Sequence, residues 1–100
     1  MSPDALTIEP GAQAYLDALY DRDSQLAERI DAFLDLLEDD PHVPEVHNRA
    51  HALQDRNGEN FSAASVRTGR DDAMVFWREE ADGEKFVVRV IYIGENRLRL

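Results

Sequence analysis

The residues best suited to chemistry are arginines set among short β-type runs. Arg67, Arg70, Arg89 and Arg97 fall in the second half of the chain, with Glu79, Tyr92 and Glu95 near them. Several guanidinium groups on one sheet face can hold a phosphodiester and stabilise charge that builds up at phosphorus. Cleavage by an attacking 2′-hydroxyl also needs a group to take a proton and a group to give one. In that arrangement Arg67 and Arg89 hold the phosphate, Tyr92 or Glu95 moves the proton, and Arg70 and Arg97 bind substrate. The plainer alternative is pairing with Asp71, Asp72, Glu80 and Glu84, or reception of an acidic partner peptide.

Three further groups could carry chemistry. His47 and His51 are four apart, so on a helix they share a face that could ligate a divalent metal, with His42, Asp40 or Glu45 nearby. Asn48 follows His47 where a zinc protease motif has glutamate, so these read as surface histidines and no metal site is expected. Glu28, Asp31, Asp35, Glu38 and Asp39 form an acidic stripe that reads as a solvated helix face. Phe61, Phe76 and Trp77 could stack bases. With so few aromatics in the chain, all three are expected in the core. The five glycines stand singly and no phosphate-binding loop is present, so no cofactor is expected.

The elements that must position these residues are legible from periodicity. Lys85 to Gly94 reads KFVVRVIYIG, an almost unbroken β-branched and aromatic run. Strict alternation puts Phe86, Val88, Val90 and Tyr92 on one face and Val87, Arg89, Ile91 and Ile93 on the other. Arg89 then lies on the barer face, and Arg67 joins it if Val66 is core. Phe61 to Thr68 and Ala73 to Glu80 read as two more strands. Asp82-Gly83 is expected to form the two-residue hairpin turn. Upstream, Ala12, Tyr15, Leu16, Leu19 and Tyr20 recur at helical spacing after Pro10. Leu26, Ile30, Phe33, Leu34 and Leu37 do the same, with Asp23 or Ser24 as cap and Asp39-Asp40-Pro41 as stop. Leu6 to Ile8 could form a short first strand, residues 1–5 a flexible arm, and Val46 to Leu53 a helical turn. The expected fold is α+β: a helix hairpin packed on one face of a small antiparallel sheet, in one domain over residues 1–100.

Charge restricts the partners. The 100 residues carry a net charge of -10. Residues 1–60 hold four Arg against fourteen acids, and residues 61–100 hold seven cations against seven acids. That balance opposes a broadly nucleic-acid-coated protein and leaves room for a local arginine patch. The chain has no cysteine, hence no disulfide or thiolate chemistry. No apolar run reaches membrane-spanning length and no basic, apolar leader is visible, so a cytoplasmic location is expected.

The order of elements, with the runs SVRTG, MVFWRE and FVVRVIYIG, resembles the RelE/ParE toxin superfamily of bacterial toxin–antitoxin systems, of plasmid-stabilisation type. The resemblance covers about residues 6–95. Arg67-Thr68-Gly69 matches the family's Arg-x-Gly pattern. Ala73 stands where an Arg commonly begins the next strand, and Gly94-Glu95-Asn96 replaces Gly-His-Arg. The usual terminal Tyr and basic surface are absent. The resemblance implies a toxin neutralised by a cognate antitoxin protein. Its target would be ribosome-bound mRNA, cut by a metal-independent endoribonuclease, or a protein such as gyrase, inhibited without catalysis. An inactive relative with a binding or homodimerisation role is the third outcome.

Overall fold

The computed structural model describes residues 2–98. The order is β1 (Ala5–Ile8), α1 (Pro10–Arg22), α2 (Ser24–Asp39), α3 (Pro44–His47), β2 (His51–Gln54), β3 (Asn60–Arg67), β4 (Asp72–Asp82) and β5 (Lys85–Glu95). The strands form one sheet in the order β1-β5-β4-β3-β2, antiparallel except for β1, which runs parallel to β5. The α+β class and the helix pair packed on the sheet are as expected. The sheet has five strands, with β1 and β2 flanking the three-strand meander.

Local chemistry sets the helix boundaries. Pro10 opens α1, where its missing N–H has no intrahelical partner to lose. Asp23 alone joins the two helices. Its N–H donates to Leu19 O, ending α1, and its side chain accepts from Leu26 N at 3.2 Å, beginning α2. Every residue of the expected α2 stripe is buried. In α1, Ala12, Leu16 and Leu19 are buried, but Tyr20 is 40% exposed. Its hydroxyl donates instead to Asp31 across the hairpin. That bond, with partial desolvation and the charges of Asp31, Glu28 and Asp35, pushes its pKa up to about 12.

α1 lies over β5 and α2 over β3. Between helices and sheet sits a wholly apolar core of Ile30, Phe33, Leu37, Val75, Trp77, Val88 and Val90 with their neighbours. Trp77 is 2% exposed, and its ring meets Phe33 edge-on at 5.5 Å. No buried polar or charged residue occurs among the described residues. No described helix is long and apolar enough to cross a membrane.

Several expectations need correction. Val46 to Leu53 is not one helical turn. α3 ends at His47, and His51–Gln54 pairs antiparallel with Asn60–Ala63. His47 and His51 therefore do not share a helix face. Asp82 pairs directly with Lys85, so the turn's central residues are Gly83 and Glu84, with Gly83 at φ 64°. The glycine is at the first central position, one place earlier than expected. Residues 2–5, expected as part of an arm, make hydrogen bonds to β5 and α2. Asp4 N donates to Phe86 O, Asp4 Oδ2 accepts from Phe86 N, and Ser2 Oγ donates to Asp39 O.

The largest correction concerns β5. Trp77 pairs with Val90 and Phe76 with Tyr92, so Ile91 is an extra residue, a β-bulge. Alternation holds up to Val90 and inverts afterwards. Ile93 enters the core at 3% exposure, and Tyr92 turns to the sheet's other face beside Phe76.

The helix–sheet contact yields the first prediction. Trp77→Ala is expected to lose about 3–5 kcal/mol, the cost of deleting a buried aromatic. Urea unfolding followed by circular dichroism measures this, and a loss under 1 kcal/mol would show that the ring is not the core's centre.

Candidate functional site

The sheet face opposite the helices is uncovered. Cross-strand partners share a face, so the register gathers Leu53, Phe61, Ala63, Met74, Phe76 and Tyr92 there. Phe61, Phe76 and Tyr92 form a continuous strip, with ring centroids 5.2 Å and then 4.8 Å apart. All three rings are half-buried, and beneath them Ala63 and Met74 are fully buried. Of the three aromatics expected in the core, only Trp77 is there. Tyr92 lies flat over Gly94, and its hydroxyl donates to Glu95 O at 3.2 Å. A Cβ on Gly94 would collide with the phenol end of that ring. The glycine is what lets the ring lie down.

Beside the strip stands a charged cluster. Arg78 and Arg89 are direct cross-strand partners, a repulsive pairing unless neutralised. Arg78 donates to Asp55 at 2.7 Å and to Glu59 at 2.5 Å, while Arg89 takes Glu80 at 3.0 Å. Asp55 also accepts from the backbone N–H groups of Asn57 and Glu59, fixing the β2–β3 turn in which Gly58 sits at φ 80°. The Arg78 hydrogen bond, with those backbone donors, holds the Asp55 carboxyl below the usual carboxylate range. A concavity lined by Glu9, Glu59, Glu80, Arg78, Arg89 and Ile91 opens here, with three acids against two arginines.

The sequence-selected residues fall in separate places. Arg67, Arg70, Glu95 and Arg97 lie near the β3–β4 turn. Arg67 Nε is 3.9 Å from Asp72, Arg97 Nε is 3.9 Å from Glu95, and Asn96 donates to Asp72 at 3.2 Å. Arg70 is in the turn, where its N–H donates to Thr68 Oγ1 at 3.3 Å. Arg67 is opposite Asp72 and Arg89 opposite Arg78. Six residues of extended chain separate those two positions, about 20 Å. Glu95 is opposite Ala73, a core residue, and lines a concavity with Tyr15, Leu19 and Leu26 on the helix side. Tyr92 and Glu95 thus project to opposite faces, joined only by the hydroxyl-to-carbonyl bond. Among the described residues, no group of three or more His, Asp or Glu is arranged to hold a metal ion.

Sequence reasoning missed the aromatic strip and the roles of Asp55, Glu59 and Arg78. Alternation through β4 already separates Phe76 from Trp77, so that part of the signal was present. Tyr92 joins only through the bulge, which no residue type marks. No family model, no curated protein and no solved structure matches the chain.

Two predictions follow from this geometry. The folded Asp55 carboxyl titrates below its ordinary value of 3.8. Its stabilising contribution is therefore present above the unfolded value and is lost as pH falls through the folded one. Asp55→Asn is expected to lower Tm at pH 7, with the gap to wild type closing below about pH 4; an equal gap at both pH values would contradict the assignment. Gly94→Ala is expected to lift Tyr92 off Phe76 at a cost of about 1 kcal/mol. Near-ultraviolet circular dichroism should change with the far-ultraviolet spectrum intact.

Proposed function

We propose that this domain works by binding a protein across its open sheet face, as the non-catalytic interaction module of a RelE/ParE-like toxin–antitoxin pair. The observation that carries the proposal is the half-buried strip Phe61–Phe76–Tyr92 on a face that no helix covers. Aromatic rings rimmed by ion pairs have the composition of a protein interface centre with a polar rim. The strip's edges, Arg78 with Asp55 and Glu59 and Arg89 with Glu80, supply that rim.

Binding is preferred over RNA cleavage on geometric grounds. A ribonuclease needs its phosphate-holding and proton-moving groups within reach of one phosphodiester. Arg67 at the end of β3 and Arg89 in the middle of β5 stand about 20 Å apart, and each faces a carboxylate. The negative net charge would also repel a polyanion.

Induced expression in a bacterial host tests the proposal, with growth and bulk translation followed together. Growth is expected to stop while translation continues. Phe76→Arg should relieve the arrest while the chain still gives a cooperative thermal transition, and Arg67→Ala, away from the strip, should leave the arrest in place. Immediate loss of translation that Arg89→Ala abolishes would overturn binding in favour of RNA cleavage. Unimpaired growth on wild-type expression would overturn the toxin assignment.

A further inference from the structure

A second surface lies on the helix side of the sheet, at the far edge of β3. β2 pairs with β3 only from Asn60 to Ala63. Beyond Ala63 no described strand runs alongside, and two backbone carbonyls turn outward. Ser65 O accepts from Arg49 Nη2 at 2.9 Å, and Arg67 O accepts from Arg29 Nη1 at 3.0 Å. The Arg49 guanidinium also sits 4.8 Å from the centre of the Phe33 ring. Between α2 and this strand edge is a groove of about 330 Å³. Ala32 and Leu36 form its accessible apolar floor, with Phe33 and Val66 buried beneath, and Arg29, Arg49 and Arg67 form its rim.

The charge of this groove is opposite to that of the chain. Acids outnumber Lys and Arg by 21 to 11, yet no acidic side chain lines it. Four other concavities among the described residues each include at least one carboxylate. Arg29 and Arg49 make no ion pair with a carboxylate among the described residues, whereas Arg67, Arg78, Arg89 and Arg97 all do. A guanidinium has five donors, and a backbone carbonyl occupies one of them. The remaining donors of two neighbouring arginines suit carboxylates, which they can bind in bidentate fashion.

We propose that this groove binds an acidic peptide segment of a partner protein, which sets an apolar side chain on Ala32 and Leu36 and its carboxylates against Arg29 and Arg49. The apolar floor selects against a simple anion, because a phosphate or nucleotide backbone would leave Ala32 and Leu36 uncovered. A long polyanion is disfavoured again by the surrounding negative field. A short segment carrying one or two carboxylates matches both the floor and the rim. The surface is distinct from the aromatic strip, so it stands whether or not the open face binds a toxin target.

Fluorescence anisotropy on the purified full chain tests the proposal. The probes are a labelled, end-blocked octapeptide of alternating Asp and Leu, its Lys–Leu counterpart, and a single-stranded RNA octamer. The Asp–Leu peptide is expected to bind, with Kd rising at least tenfold in the Arg29→Gln/Arg49→Gln double variant and rising with salt. Arg49 packs on Phe33, so two further variants guard against a folding artefact. Arg29→Gln alone is expected to weaken binding several-fold, and Ala32→Glu, which brings a carboxylate into the groove from an exposed position, to abolish it, both with an unchanged thermal transition. Equal Kd in wild type and double variant, equal binding of the Lys–Leu peptide, tighter binding of the RNA, or no Asp–Leu binding at millimolar peptide would each overturn the proposal.

Discussion

One extra residue in β5 decides what both faces of this sheet are made of. Side chains alternate with period two, so a single insertion moves everything after it to the opposite face. Ile91 is that insertion. Past it, Ile93 drops into the helix-side core and Tyr92 turns outward to Phe76. Regular alternation would have placed a phenol hydroxyl in an apolar core, where it would require a buried partner. It would also have left Ile93 in water. The bulge puts the amphipathic ring on the amphipathic face, and it sends the Glu95 carboxylate away from that ring to the helix side.

The second organising feature is the treatment of like charge. Arg78 and Arg89 face each other across β4 and β5, and each is neutralised by acids from a different part of the chain. Asp55 does two jobs here. It shapes the β2–β3 turn through backbone donors, and it anchors Arg78 from that turn. The short edge strand β2 is thereby tied to β4, two strands away. At the other end of the same edge, where β2 has stopped, Arg49 and Arg29 occupy carbonyls that a further strand would otherwise seek. Charged side chains on an exposed edge are a common defence against edge-to-edge association.

The fold was largely legible because its signals are local. The stripe Leu26, Ile30, Phe33, Leu34 and Leu37, the cap at Asp23 and the stop before Pro41 depend on near neighbours alone. So does the hairpin at Gly83, although its central residues sit one place from where Asp82-Gly83 suggested. β2 was not legible: His51-Ala-Leu-Gln54 is short and scarcely β-prone, and only its pairing with Asn60–Ala63 makes it a strand. The candidate site fared worse for the same reason. Arginine count gives no distance between arginines. Placing Arg67 and Arg89 far apart along the strands requires the register, and placing Tyr92 beside Phe76 requires the bulge. Nothing in the sequence marks Arg29 and Arg49, and only the fold shows them meeting along one strand edge.

The parallel pairing of β1 with β5 joins Ala5–Ile8 to residues 87–90, almost the full span of the chain. During synthesis the helix hairpin emerges early, and the strands that cover Ile30, Phe33 and Leu37 emerge later. The partner of β1 comes last of all. Until β5 is made, the first strand has no neighbour and the apolar stripe of α2 has no sheet beneath it. Such distant contacts carry the largest loop-closure entropy and form slowly. A nascent chain of this protein therefore passes through a stage with a greasy helical hairpin exposed, the stage at which chaperones or premature partners would engage it.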